Sequence, residues 1–93
     1  MRGGTAGGEA HLRVAQGQTS GSVILYALHP GTAASFDWQW SSDGTHWTDR
    51  KSTTAAKTTL SGRRPWILYS FRYRVLTTHG KGDWNDPLTF RVT

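Results

Sequence analysis

The sequence contains no cysteine, which excludes a disulfide framework and any site built on a thiolate. It has no apolar run long enough to cross a bilayer and no helical periodicity of useful length. Acidic residues are few: six Asp and Glu stand against eleven Lys and Arg, for a formal net charge of +5. The basic residues are scattered, so the charge indicates solubility first, with attraction to an acidic partner or to nucleic acid as the alternative.

Aromatic residues are what the chain has in quantity: five Trp, three Tyr and three Phe among 93 residues. A chain of this length forms one domain with a small core, so the aromatic side chains must fill most of it. Residues 1–10 are rich in glycine, and we expect a flexible leader there. The sequence therefore predicts a single domain over residues 11–93.

Every ordered segment has the pattern of a β-strand. Residues 35–41 (SFDWQWS) alternate strictly between larger and polar side chains, and Asp43-Gly44 then indicates a hairpin turn. The predicted strands cover residues 12–14, 23–28, 35–41, 45–49, 53–60, 69–75 and 88–92. Short strands with frequent turn signals predict an all-β fold, a seven-stranded antiparallel two-sheet sandwich.

The alternation also predicts which side chains face the core. We expect the inward set to be Val23, Leu25, Ala27, Phe36, Trp38, Trp40, Leu60, Tyr69, Phe71, Tyr73 and Val75. Burying one large aromatic side chain stabilises a fold by roughly 2–3 kcal/mol, so the aromatic members should dominate the stability.

Several stretches, in their order and spacing, resemble the fibronectin type III family. After a proline turn, residues 69–75 (YSFRYRV) look like the family's strand Y-x-F-R-V-R-A, and residues 80–87 (GKGDWNDP) resemble its G-x-G-x-W-S-x-P. Residues 36–48 look like a bacterial version, with aromatic residues ahead of S-x-D-G-x-x-W. The resemblance covers about residues 12–93 and implies an immunoglobulin-like sandwich with a tyrosine corner, in which the Tyr69 hydroxyl ties a turn to its strand.

The chain departs from the family pattern at two places. The second strand of the family usually carries a tryptophan; here the position is Ala27, and we expect Trp38 to fill the space. The family's turn reads like L-x-P-G-T-x-Y, whereas residues 63–69 read RRPWILY. Trp66 thus replaces a glycine that often supplies a positive φ, so we expect the sharp turn to survive only with an extended or helical backbone at Trp66.

The altered turn is the first candidate site, with Trp66, Ile67 and Leu68 beside Arg63 and Arg64. Three large apolar residues left exposed without a partner would promote aggregation. They either fold back to cap the base of the sandwich or bind a protein partner, with tryptophan as the anchor and the arginines as a charged rim. Domains similar to this family also serve as scaffolds for engineered binders, and the altered turn is compatible with deliberate diversification.

The outward side of the second strand is a candidate sheet-face contact. If the inward set is right, Ile24, Tyr26 and Leu28 form an apolar stripe on the sheet made by the first, second and fifth strands. The stripe favours a homodimer paired about a two-fold axis. The alternatives are a slipped register and cover by the N-terminal segment.

Three other functions find less support in the sequence. Arg72 and Arg74 alternate with core aromatics, so basic and stacking groups lie on opposite faces, which disfavours single-stranded nucleic acid. We expect these arginines to face solvent near Asp37 and Gln39. Trp66 alone is spare for stacking on a sugar, because the other tryptophans match core or family packing positions. The four histidines are far apart and no catalytic or metal-binding motif is present, so we expect no enzyme, metal or cofactor.

These patterns predict a non-catalytic protein-interaction module led by the turn, extracellular or at the cell surface if the chain is natural, with no nucleic-acid or membrane partner. The alternative is a structural spacer with no ligand of its own, from a bacterial secreted or surface multidomain protein such as one that acts on carbohydrate. Exposure of Trp66 separates the two, because a spacer would cover the apolar cluster with its own core.

Overall fold

The computed structural model describes residues 11–28, 31 and 33–93; the predicted leader, residues 1–10, lies outside the described part. The elements found there are all β-strands, and this part of the chain has no helix that could span a membrane. The strands are β1 (Leu12–Gln16), β2 (Val23–Ala27), β3 (Ser35–Ser41), β4 (Thr48–Thr53), β5 (Lys57–Leu60), β6 (Leu68–Thr77), β7 (Gly80–Lys81) and β8 (Leu88–Arg91).

Two antiparallel sheets form the predicted sandwich. One has three strands in the order β1-β2-β5, and the other has five, in the order β4-β3-β6, with both β7 and β8 paired to β6. The prediction that the first, second and fifth strands share a sheet is confirmed. The described residues form eight strands rather than seven, because residues 80–81 pair with Leu76 and Thr77. A two-residue strand is too short to show alternation in a sequence.

One predicted strand, residues 53–60, is divided between the two sheets. Its first residue ends β4, which pairs with β3, and its last four form β5, which pairs with β2. Residues 54–56 therefore carry the chain from one sheet to the other. The Thr-rich sequence shows no break at this point. The strand predicted to begin at residue 45 begins later, as β4 at Thr48, because no local signal marks its start either.

The core lies between the sheets and is close to the predicted set. The buried cluster is Leu12, Val23, Leu25, Ala27, Phe36, Trp38, Leu60, Tyr69, Phe71, Tyr73 and Val92. Trp40 and Val75, predicted inside, are half-buried and pack against this cluster. Leu12 and Val92 were missed because each lies at the end of a short edge segment, where alternation is least informative.

Trp38 lies at the centre of the core and is fully buried. Its ring centroid is 5.8 Å from that of Phe36 and 5.6 Å from that of Tyr73. Its Nε1–H donates a hydrogen bond of 2.9 Å to Oγ1 of Thr53, so the indole buries its ring without leaving a polar atom unpaired.

Candidate functional site

The turn of residues 63–68 carries the largest exposed apolar side chains of the described chain. Trp66 is 68% exposed, Ile67 40% and Leu68 48%. The alternative in which this cluster folds back to cap the base of the sandwich is therefore wrong. Leu68 lies on the outer face of the five-stranded sheet, opposite Arg91 of β8.

The backbone at Trp66 contradicts the sequence-based expectation. Its φ is 69°, in the left-handed region, and it is the one non-glycine residue with a positive φ among those the structure describes. This is a conformation that glycine adopts without steric cost, and glycine is the residue that the resembling family pattern has at this position. A left-handed conformation costs an L-residue with a Cβ roughly 1–2 kcal/mol, so the surrounding contacts must hold it.

Hydrogen bonds on both sides of Trp66 hold that conformation. Its N–H donates to the carbonyl oxygen of Val92, and the N–H of Val92 donates to the carbonyl oxygen of Ile67 at 3.1 Å. The carbonyl oxygen of Trp66 accepts a hydrogen bond of 3.2 Å from Nη1 of Arg91. The turn thus continues the pairing of β6 with β8, and the indole projects from a backbone that is tied down.

The tyrosine corner implied by the family resemblance is present. The Tyr69 hydroxyl accepts a hydrogen bond of 2.9 Å from the N–H of Arg64, and the Tyr69 side chain is buried. On the other side, the N–H of Arg63 donates to the carbonyl oxygen of Gly21 at 2.9 Å. Gly21 has a φ of 79°, and a Cβ there would collide with the carbonyl oxygen of Arg63, so this close approach requires glycine.

The arginines around the turn have different surroundings. Arg63 is half-buried, with its Cζ 3.8 Å from the ring centroid of Trp40, so it packs on the domain itself rather than standing at a rim. Arg64 is exposed, and its guanidinium makes no hydrogen bond to the described residues. Arg91, also exposed, was not singled out from the sequence. Aligning the predicted strands 69–75 and 88–92 as antiparallel neighbours would have brought it to the turn, since it pairs with Leu68.

A second aromatic–basic group lies on the outer face of the five-stranded sheet. The Cζ of Arg72 is 4.1 Å from the ring centroid of Trp47 and 4.8 Å from that of Trp84, and the Cζ of Arg74 is 4.5 Å from Trp84. We call these four residues the Trp–Arg stack. The alternation of β6 separates its arginines from its own aromatics, as predicted, but loops bring other indoles to the arginine side. The prediction for β6 is confirmed, and the indoles of Trp47 and Trp84 are an addition to its arginine face that the alternation of one strand could not show.

Polar contacts fix the arginines of the stack where the sequence predicted. Arg72 donates from Nε and Nη2 to Oε1 of Gln39, at 2.9 and 2.7 Å, and Arg74 donates from Nε to Oδ2 of Asp37 at 2.9 Å. The hydroxyl of Ser52, followed by Arg74, lowers the pKa of Asp37 below its usual range, against an opposing effect of burial. Burial, with the like charge of Arg74, lowers the pKa of Arg72.

The candidate sheet-face contact lies where the alternation places it. Ile24 and Tyr26 are half-buried on the face of β2 that points away from the core, and Leu28, which follows the strand, is half-buried too. Tyr26 is bordered by two cations: the Cζ of Arg13 is 5.0 Å and the Nζ of Lys57 5.9 Å from its ring centroid. Strands β1, β2 and β5 contain no acidic residue, so a two-fold pair through this stripe would oppose like charges. A homodimer here stays a prediction.

In the described part of the chain, no group of three or more His, Asp or Glu residues could hold a metal ion. His11, His46 and His79 are exposed, and His29 lies outside the described residues. Nδ1 of His46 is 2.7 Å from Oδ2 of Asp43, in the turn between β3 and β4. The backbone N–H of His46, then its ring, lowers the pKa of Asp43, which is the behaviour of a turn-forming aspartate.

No protein-family model matches the sequence, and no curated protein does. Solved structures do. The sixth fibronectin type III domain of human fibronectin type III domain containing protein 3 is similar at a TM-score of 0.72 and 14% identity, over 96% of this chain and 92% of that chain. A myokine structure is similar at a TM-score of 0.68 and 13% identity, over 87% and 90% of the two chains.

The twitchin kinase region from C. elegans is similar at a TM-score of 0.65 and 18% identity, over 83% of this chain. This chain spans only 15% of that one. At these identities the likeness shows the fold alone. The chain has the fibronectin type III fold, as its motifs predicted, and the fold is consistent with a non-catalytic interaction or structural domain.

Proposed function

We propose that this chain, built on the fibronectin type III fold, is a non-catalytic protein-interaction module that binds a protein partner through the 63–68 turn. The observation that carries the proposal is the exposure of Trp66 on a left-handed backbone, with Ile67 and Leu68 exposed beside it. Binding would proceed by removing water from this apolar cluster as it enters a groove of the partner, while neighbouring arginines orient the complex.

The held backbone of the turn supports an anchor role. Hydrogen bonds to Val92, Arg91 and Tyr69 tie the segment down before any partner arrives. A side chain presented from a fixed backbone loses little conformational freedom on binding, and tryptophan adds a large contact area with only two side-chain torsions. Hot spots in protein interfaces are accordingly enriched in tryptophan.

The conformation of Trp66 gives a second, independent support. Glycine would adopt a φ of 69° with no steric cost, whereas tryptophan destabilises the isolated domain there. With 68% of its surface exposed, the indole recovers little of that loss through packing on the described residues. A partner that buried the indole would recover it, and strained backbone of this kind occurs most often at binding and catalytic sites.

The location of the domain and the kind of protein that contains it are proposed from the family resemblance alone. We propose an extracellular or cell-surface location, in a bacterial multidomain protein, if the chain is natural. A domain engineered as a binder would use the same surface, because the departure from the family's turn is at the positions that make the anchor.

The test is selection of a displayed library of random linear peptides against the whole chain. Binders are then measured on Trp66→Asn/Ile67→Ser, in which Asn removes the indole while tolerating a positive φ. The matched control is Leu88→Ser, since Leu88 is another exposed large apolar residue, at 39%, on the inward-facing side of β8. Melting temperatures of all variants show whether the fold is kept.

We expect binders whose affinity falls at least about tenfold, which is about 1.4 kcal/mol, on the turn variant and stays within about twofold on the control. The proposal would be contradicted by selected binders that bind the turn variant as tightly as the original chain, or by the absence of any binders. The domain would then be the spacer of the alternative reading, with a turn that has no ligand.

A further inference from the structure

We propose that the partner of the 63–68 turn presents an apolar pocket edged by carboxylates, and that Arg64 and Arg91 bind those carboxylates whereas Arg63 packs against its own domain. The inference rests on the proposed function, because it specifies the chemistry of the partner at the same surface. It changes the assignment expected from the sequence, in which Arg63 and Arg64 formed the rim.

The side-chain surroundings divide the three arginines into two groups. The guanidinium of Arg63 lies 3.8 Å from the Trp40 ring centroid, and its Nε donates to the carbonyl oxygen of Ser61 at 3.4 Å. It is therefore held against the domain. Arg64 is exposed and its guanidinium makes no hydrogen bond within the described residues. Toward the residues that the structure describes, Arg91 donates from Nη1 alone, to the Trp66 carbonyl, and its other guanidinium nitrogens are left for an external acceptor.

The local charge is positive with little to neutralise it. Residues 50–82 contain no Asp or Glu, and neither does β8. The acidic residue in the hairpin turn after Ser41, at the same end of the sandwich as Leu68, is Asp43. Its Oδ1 accepts hydrogen bonds from Ser41, Thr45 and His46, so it is engaged in its own turn. A partner with carboxylates beside its apolar pocket would be complementary to this surface.

The shape and chemistry of the cluster favour a polypeptide over a nucleic acid. Ile67 and Leu68 are branched aliphatic side chains that offer no flat face to a base, and they directly follow Trp66 in the chain. An apolar groove in a protein is suited to such exposed aliphatic and aromatic side chains, and Asp or Glu at its edge pairs with guanidinium in a bidentate manner.

The same peptide selection tests the inference through two further readouts. The first is composition: Asp and Glu should be enriched next to aliphatic and aromatic residues in the selected peptides. The second compares Arg64→Gln/Arg91→Gln with Arg13→Gln/Lys57→Gln. Each pair removes two positive charges, but the control pair lies on the face of the three-stranded sheet, beside Tyr26. Glutamine at residue 91 keeps a donor for the Trp66 carbonyl.

We expect the turn pair to weaken binding about three- to tenfold, the control pair to leave it within about twofold, and added salt to remove most of the difference. Binders that need Trp66 but lack acidic residues, and that tolerate the turn pair, would overturn the acidic partner while leaving the interaction function intact. Binders that do not need Trp66 would overturn both. Tight binding of a single-stranded oligothymidine that is lost in the turn pair would assign the arginines to phosphate instead and overturn the inference.

Discussion

Tryptophan and arginine meet in two regions of this domain with opposite consequences. In the Trp–Arg stack, guanidinium groups lie on the rings of Trp47 and Trp84, and both indoles are half-buried. In the 63–68 turn, Arg91 binds the carbonyl oxygen of Trp66 instead of its ring, and the indole is 68% exposed. The same residue types therefore pack together in one place and leave an indole exposed in the other.

Position in the sheet explains the difference. Arg72 lies in the middle of β6, with Gln39 of β3 on one side and the segment before β8 on the other. That segment is held by Asn85, whose N–H donates to the Tyr73 carbonyl at 3.0 Å and whose Oδ1 accepts from the Tyr73 N–H at 2.7 Å. Trp84 is thereby fixed over the arginines. The turn leads into the first residue of β6, Leu68, where no strand is present on its outer side in the described structure.

The largest expected effect comes from breaking the stack. Trp84→Ala should destabilise the domain by about 2–3 kcal/mol, because it removes a half-buried indole together with its contacts to two guanidinium groups. Trp66→Asn should change the free energy of unfolding by less than about 0.5 kcal/mol, since the indole is exposed and Asn tolerates the left-handed backbone. Urea unfolding at neutral pH measures both.

Arg74→Met is a useful companion to Trp84→Ala, because methionine keeps most of the aliphatic stem and removes the charge. An intermediate loss is expected from this variant. Equal losses at Trp84 and Trp66 would show that the turn is as much a part of the stability of the domain as the stack is, and the contrast between the two regions would fail.

A smaller effect of opposite sign is expected at the turn itself. Trp66→Gly should stabilise the domain by about 0.5–1 kcal/mol, because release of the left-handed strain exceeds the added entropy of the unfolded chain. The matched control is Ile67→Gly, the next residue, whose φ is not positive. Glycine there should destabilise by about 1 kcal/mol. If Trp66→Gly is destabilising instead, the indole contributes packing that its exposure does not reveal.

Much of the fold could be predicted because its information is local. The alternation of residues 35–41 and 69–75 sets which side of each strand faces the core, and Phe36, Trp38 and Phe71 are buried accordingly. This alternation depends on the two-residue period of a strand and needs no knowledge of which strand lies beside which. The tyrosine corner at Tyr69 was expected from a different source, the resemblance to the fibronectin type III family.

The features that sequence reasoning missed all depend on neighbours or on strain. Arg91 reaches Trp66 only through the register of β6 with β8, and Trp47 reaches Arg72 only through the path of a loop. The left-handed φ of Trp66 runs against the intrinsic preference of its residue type. It is visible only once the hydrogen bonds of Val92 are known. Site residues here are thus set by tertiary contacts more than by local pattern.

The smallest effect is expected at Asp37, which pairs with an arginine of the Trp–Arg stack, and it concerns the stability of the domain at acid pH. The Ser52 hydroxyl and Arg74 lower the folded-state pKa of Asp37, so its contribution to stability is fully present above the unfolded value of about 4 and is lost as the pH falls through the folded value. Asp37→Asn should therefore flatten the loss of stability below about pH 4. At neutral pH it should cost about 0.5 kcal/mol or less, as expected for an ion pair near the surface.

Ser52→Ala separates the two causes, because it removes the hydroxyl that contributes most to the shift and leaves Arg74 in place. This variant should reduce the loss of stability at acid pH in part, and Asp37→Asn should reduce that loss further. The turn has no counterpart to this carboxylate, because residues 63–68 contain no acidic residue. Trp66→Asn should therefore leave the loss of stability at acid pH unchanged. A loss of stability at acid pH that changes with the Trp66 variant but not with Asp37→Asn would mean that the stack and the turn are coupled, and the two regions could then no longer be treated as one that stabilises and one that we propose to bind.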